Sequence, residues 1–403
     1  MTAQTGEVIE YPLVRYDDLT VDPRYKDLQR QGPIRVQLPY GQPCWLATSY
    51  DDVKTVYGDR RFSKESGVGR DTPRMMSNRI AEDPSIIANM DGPRHARVRR
   101  LTLAAFSAHQ VRSLRPWTEG LIDDVIDDML ARPKPADFVD LISWAIPLRV
   151  ITGILGVPGD QIPMFRGWVD TLMDFGSPEG DKAHAIENLM QYIRGLIAER
   201  RAGHADDLLA IMVRARDDDD RLSEDELVNV ALTLFLAGFE TTAAQLGSTV
   251  FVLMTHRHLW QELLEDPSLL PAALEELWRW IPSFRFGMPM IRWATEDVEL
   301  SNGVVIPAGQ PVLPEHQVAN RDELVFPHAW ELDFHRVDPQ PNLSLAWGAH
   351  RCLGAHLAHL EVEVAVDKLL QRIPTLELAV AAEDVPWAST TFLRSPEKLP
   401  LTW

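Results

Sequence analysis

The feature that most constrains this chain is a run from Leu227 to Met254 that is apolar on nearly every face and opens on a helix-start signal. Ser223 and Glu226 have the Ser-x-x-Glu spacing in which the serine hydroxyl accepts from the amide three residues on and the glutamate reaches back to the serine amide. A helix with no polar face is stable only in a bilayer or at the centre of a large core. Asn229, Glu240, Thr241, Thr242 and Gln245 interrupt the run, and such groups are costly in hydrocarbon, so the pattern predicts a central core helix. Enclosing it takes apolar layers on every side. A chain of 403 residues with 45% hydrophobic and 25% charged residues can supply them.

Helical periodicity recurs around 111–131, 137–156 and 183–202. Ahead of these, Ile34 to Leu38 and Cys44 to Thr48 flank the turn-rich Pro39-Tyr40-Gly41-Gln42-Pro43, which reads as a hairpin. Extended segments return at Val298 to Leu313 and at Thr391 to Leu401. The fold class is therefore mainly α with small β-sheets. With no repeat, low-complexity linker or composition break, residues 1–403 read as a single domain. The formal net charge of -19 argues against nucleic acid and anionic membrane as partners. Met1 to Pro12 has no basic run followed by an apolar stretch, so no signal peptide or anchor is expected and the location expected is cytoplasmic. Cys44 and Cys352 are the only cysteines, too few for a disulfide framework.

The second cysteine has unusual neighbours. Leu345-Ala346-Trp347-Gly348-Ala349-His350-Arg351-Cys352-Leu353-Gly354 runs into the helical Ala355-His356-Leu357-Ala358-His359-Leu360-Glu361. A cysteine at a helix entry meets backbone N–H groups and the positive helix end, which favour a thiolate, and the flanking glycines let a flat ligand approach. A lone cysteine is more often an inert core residue. Here the segment resembles the heme-binding loop of the cytochrome P-450 superfamily, Phe-x-x-Gly-x-His/Arg-x-Cys-x-Gly. Leu345 stands where that pattern has Phe, and Ala346 where bacterial members usually have Gly. The resemblance implies heme b with Cys352 as axial ligand to the iron and His350 on a heme propionate. It also implies a heme buried between the long central helix and the cysteine-loop helix.

Other segments match the same family. Glu276-Leu277-Trp278-Arg279 places acid and base at i, i+3, alone a common surface pair. In the family such a pair is buried with a later arginine, a structural role for which Arg336 is the candidate third member. Asp91-Gly92-Pro93-Arg94-His95-Ala96-Arg97-Val98-Arg99-Arg100 resembles Asp-Pro-Pro-x-His-x-Arg-x-Arg, with Gly92 departing from the first Pro. His95 and Arg99, at i, i+4, project from one helix face, and the resemblance gives them, with Arg292, to the propionates. Ala319-Asn320-Arg321-Asp322 matches a further family segment, so the likeness runs from Ile34 to Trp403.

Within the central run, Ala237-Gly238-Phe239-Glu240-Thr241-Thr242 sets a glycine and three polar side chains into apolar surroundings. A mid-helix threonine can simply bond the carbonyl four residues back and bend the helix. In the resembled family this segment crosses the oxygen-binding face of the heme, which assigns Thr241 to hydrogen-bonding dioxygen or its water and Glu240 to relaying protons. The chain has no Gly-x-Gly-x-x-Gly fingerprint or flavin domain, and the resemblance implies a ferredoxin and ferredoxin reductase as electron donors. Arg97, Arg100 and Arg351 are candidates for a local basic docking patch, with plain solvated arginines as the alternative. Candidate lining for an apolar small-molecule substrate is Met75, Met76, Met90, Leu236, Ala237, Phe284, Met288 and Met290. The expected activity is dioxygen-dependent hydroxylation or epoxidation of a natural product such as a polyketide or terpenoid. A peroxide-using heme-thiolate enzyme and a non-catalytic heme carrier or sensor are the alternatives.

Overall fold

The structure is a computed structural model, and it describes residues 8–13, 17–75, 83–174, 176–203, 207–219, 222–285, 290–337 and 340–403. The chain forms two compact units, one comprising residues 1–84, 88–93 and 275–352, the other 85–87, 94–274 and 353–403.

The first unit is built on a six-stranded sheet in the order Ile9–Glu10, Ile34–Gln37, Cys44–Ala47, Pro311–Pro314, Arg292–Ala294, Phe62–Ser63. The hairpin aligns Ile34 with Leu46 and Val36 with Cys44. Alternation directs Val36, Cys44 and Leu46 to the interior, all fully buried. Its turn needs Gly41, at φ +85°, because a Cβ there would lie 2.4 Å from the Thr72 carbonyl oxygen. The Tyr50–Gly58 helix follows, capped by the Ser49 hydroxyl, which accepts from the Asp52 amide. Tyr50, Val53, Val56 and Tyr57 from this helix pack with Phe62, Ile306, Val312, Phe326 and Leu343 as the unit's core. Val298–Glu299 and Val305–Ile306 form a separate two-stranded sheet.

The second unit is helical around the apolar run. Both capping-box bonds are present, Glu226 amide to Ser223 hydroxyl at 3.1 Å and Ser223 amide to Glu226 carboxylate at 3.0 Å. The run is two helices, Glu224–Gly238 and Glu240–Thr255, separated at Phe239. Leu227, Phe239, Leu246, Val250 and Leu253 are fully buried, so a stretch long and apolar enough to cross a membrane serves as a core element. Around it lie Ala108–Leu130, Ala145–Leu155, Ile162–Met173, Glu179–Ala202, Leu208–Asp219, Arg257–Glu265 and Ala355–Arg372. Phe165 packs against Phe235 with ring centroids 4.6 Å apart and the rings tilted by 45°, and Trp144 meets Phe239 edge-on at 5.6 Å. A three-stranded sheet joins Glu377–Leu378, Pro400–Thr402 and Ala136–Asp137. The extended segment expected from Thr391 is thus a strand only at its end, and the 137–156 helix is a π-helical turn, Val139–Ser143, leading into Ala145–Leu155.

Candidate active site

In the first unit the cysteine loop is shaped by its backbone. Leu343 accepts from the Ala346 amide at 2.9 Å, Gly348–His350 forms a 3-10 turn, and the Cys352 amide donates to the Leu345 carbonyl at 2.9 Å. This fold-back presents Cys352 as an exposed thiol three residues before the Ala355–Arg372 helix. Gly348 sits at φ +71°, where a Cβ would lie 2.8 Å from the Tyr57 carbonyl oxygen. Ala346 occupies the left-handed region at φ 58°. Its departure from glycine therefore carries strain, and Ala346→Gly is expected to stabilise the protein by about 1 kcal/mol, read from a denaturation midpoint.

The loop is anchored to a buried ionic knot. Arg279 Nη2 and Nε donate to the Glu276 carboxylate at 2.6 and 2.7 Å, and Arg336 Nη2 and Nε donate to it at 3.1 and 3.2 Å. Arg279 Nη1 donates to the carbonyls of Asn320 and Ala329 at 2.8 and 2.7 Å. Burial would raise the Glu276 pKa, but the two guanidinium groups hold it below the ordinary value. Asn320 extends the knot: its side-chain oxygen accepts from the Leu343 amide at 2.7 Å and its amide group donates to the Ser344 hydroxyl at 2.7 Å. The start of the cysteine loop is thereby tied to the arginines.

A polar cluster gathers around Asp91. Its Oδ2 accepts from the Ser63 hydroxyl and the Lys64 and Glu65 amides at 2.6, 2.8 and 2.9 Å, and its Oδ1 lies 3.2 Å from His350 Nε2. Burial opposes its charge, yet His350, Ser63 and the Glu65 amide hold the carboxyl well below the usual range. His350 is pushed down by burial against the pull of Asp91. Arg292 is 1% exposed, donates to the Met290 carbonyl at 3.2 Å, and leaves Nη2 buried without a partner among the described residues. Burial lowers its pKa to about 10. A buried guanidinium with an unmet donor fits an acidic ligand that protein atoms do not supply, and the heme propionates have that chemistry. Met75 and Met290 are partly buried, Met90 and Phe284 are buried, and Met76 and Met288 lie outside the described residues.

In the second unit His95 is buried and Arg99 partly exposed on the Gly92–Ala105 helix. Arg97 is 2.7 Å from Glu226 and Arg94 3.4 Å, so the capping-box carboxylate also offsets part of the expected basic patch. Arg100 and Arg351 are exposed. Glu240 is 4% exposed with Oε2 unpartnered among the described residues, and burial, reinforced by the Asp170 charge, pushes its pKa up to about 8. Thr241 is partly exposed and donates to the Ala237 carbonyl at 2.8 Å. Leu236 is partly buried and Ala237 exposed beside it. Asp91 and Asn320 lie within family-like segments that imply no role for them, and Lys64 and Asp170 have no sequence signal at all.

The cytochrome P-450 family pattern matches residues 168–399. The mycinamicin IV hydroxylase/epoxidase of Micromonospora griseorubida is 39% identical over 99% of this chain and 100% of its own length. The nocardicin C N-oxygenase of Nocardia uniformis is 39% identical over 98% of each chain. Among solved structures, the LnmA cytochrome P-450 hydroxylase of the leinamycin pathway of Streptomyces atroolivaceus superposes with a TM-score of 0.91 at 40% identity, over 98% of this chain and 100% of that one. Fold and relatives together define a heme-dependent monooxygenase. The chain belongs to the cytochrome P-450 family, whose cofactor is heme b bound through a cysteine thiolate. Bacterial members generally draw electrons from a ferredoxin and its reductase and act on apolar substrates.

Proposed function

We propose that Cys352 is the thiolate ligand to the heme iron, that His95, Arg99, Arg292 and His350 hold the propionates, and that the whole chain works as one monooxygenase domain. The observation that carries the ligand assignment is the contrast between the two cysteines. Cys44 is fully buried in a strand and burial pushes its thiol to about 12, whereas Cys352 is exposed on a loop held open by its own backbone bonds. Bound in this way, heme supplies dioxygen activation, with thiolate electron donation favouring O–O cleavage.

The protein supplies protons and placement. With a pKa near 8, the Glu240 carboxyl is neutral at pH 7 and can donate a proton. Its Oε2 is committed to no other group among the described residues, which favours a relay over the peroxide-using and carrier readings. Thr241, whose hydroxyl rests on Ala237, is the group that takes the proton on to dioxygen or its water. Thr241→Ala is expected to uncouple electron use from product formation, measured as NAD(P)H consumed per product. Glu240→Gln should lower coupled turnover by about 10²-fold. Because the folded pKa lies above the ordinary carboxylate value, the neutral form is favoured below about 8 and is lost as pH rises through it. Coupling should fall over that window in the parent enzyme and stay flat in Glu240→Gln. Unchanged coupling in Thr241→Ala would remove the assigned role.

The substrate proposed is an apolar natural product, oxidised by hydroxylation or epoxidation, in keeping with relatives named for mycinamicin and nocardicin. A ferredoxin and its reductase are the proposed donors in a cytoplasmic setting. Arg100 and Arg351, both exposed, are the proposed basic contacts, and Arg97 pairs with Glu226.

A further inference from the structure

The Phe62–Ser63 strand pairs antiparallel with Arg292–Ala294, Phe62 opposite Ala294 and Ser63 opposite Trp293. Lys64 follows as the chain leaves this strand (φ -86°, ψ -45°), its amide donating to Asp91 and its ammonium within range of the Arg292 charge. Like charges so placed repel. A third basic group, His350, meets the same cluster through Asp91.

Asp91 cannot balance this set. Its Oδ2 already accepts from one hydroxyl and two amides, and its Oδ1 faces His350. Among the described residues the Lys64 ammonium has no hydrogen bond or ion pair, and Arg292 Nη2 is buried with none. Lys64 is nonetheless only partly exposed, and its charge is opposed first by burial and then by Arg292, with the Asp91 charge a smaller offsetting influence. A closely spaced, enclosed pair of cations with unmet donors and one saturated carboxylate is a site lacking an anion.

We propose that Lys64 is a heme-positioning residue whose ammonium, just past the strand that pairs with Arg292–Ala294, binds a heme propionate carboxylate. The assignment rests on the heme-thiolate reading above and adds a cation that the family-like motifs do not contain. Its role is retention and seating of the cofactor, with no part in proton delivery.

The test is the rate at which ferric holoenzyme releases heme to excess apomyoglobin. Lys64→Gln, which keeps length and removes charge, should release heme roughly tenfold faster, the loss of one charge-assisted hydrogen bond. Lys64→Arg should stay within about twofold of the parent. Reconstitution with heme dimethyl ester, which lacks the carboxylates, should erase the difference between parent and Lys64→Gln. The heme-free Lys64→Gln protein should melt no lower than the parent, because the change relieves repulsion with Arg292. A purely structural lysine would give the opposite result in that last measurement. An unchanged release rate in Lys64→Gln, or a difference that persists with the dimethyl ester, overturns the proposal. All variants are first shown to give the red-shifted reduced carbon monoxide spectrum of a thiolate ligand, so failure of the lysine assignment and failure of the thiolate reading appear as separate results.

Discussion

Cys352→His is expected to take up heme, to lose the red-shifted Soret band of the reduced carbon monoxide complex, and to form product only at background. The reason is electronic. A thiolate donates charge to the iron in a way imidazole does not, and that donation favours O–O cleavage. The loop should tolerate the change, since its shape comes from the Ala346 and Cys352 amides and the positive φ of Gly348, none of which involves the sulfur. Enzymes contribute rate enhancements of about 10⁶-fold and more, and removing the group on which the chemistry depends should forfeit most of that. Product formation under saturating ferredoxin and reductase, beside the spectrum, measures both effects. Retained turnover with the red-shifted band still present would show that Cys352 does not ligate the iron.

Glu276→Ala should cost about 3–5 kcal/mol of stability, the range for stranding a buried charge by removing its partner. Two guanidinium groups depend on this one carboxylate, with Arg279 3% exposed and the Arg336 side chain 8% exposed. Loss of Glu276 also releases the Asp333 amide, which donates to it at 3.1 Å. Arg279 reaches the Asn320 carbonyl, and Asn320 bonds Leu343 and Ser344, so the cysteine loop should loosen along with the knot. Urea denaturation of the purified variant reads the stability change, and heme content after purification reads the loop. Glu276→Gln, keeping one acceptor oxygen, should lose less. The parent protein should show the matching pH signature. Because the Glu276 pKa is held low in the folded state, its contribution is present above the ordinary carboxylate pKa and lost as pH falls through the depressed one.

Local chemistry in the chain forecasts several of these features well. The Ser223 and Glu226 capping box, the burial of the run after it, and the hairpin at Ile34 to Thr48 each follow from residue type and spacing. The Gly238 and Thr241 irregularity announced a bend, and the helix is interrupted at Phe239. Less legible were elements whose identity depends on distant partners. Arg97 is one of three arginines that read as a basic docking patch, but Glu226 from another helix pairs with it. Nothing adjacent to Asp91 signals that it will gather Ser63, Lys64 and His350, because the strand that carries Ser63 is two residues long. The helices at Ile162–Met173 and Leu208–Asp219 are short, 12 residues each, and gain their stability from packing. Ala346 shows the reverse case. A departure from the family pattern, visible in sequence alone, becomes a residue in the left-handed region with a definite energetic expectation.

The most direct test of the account is the absorption spectrum of the purified protein, reduced with dithionite and exposed to carbon monoxide. A Soret band shifted strongly to the red establishes heme on a thiolate, and its loss in Cys352→His assigns that thiolate to Cys352. A globin-like band, or no heme band in freshly folded protein supplied with heme, contradicts the assignment of Cys352 and with it the proposed chemistry of Glu240 and Thr241.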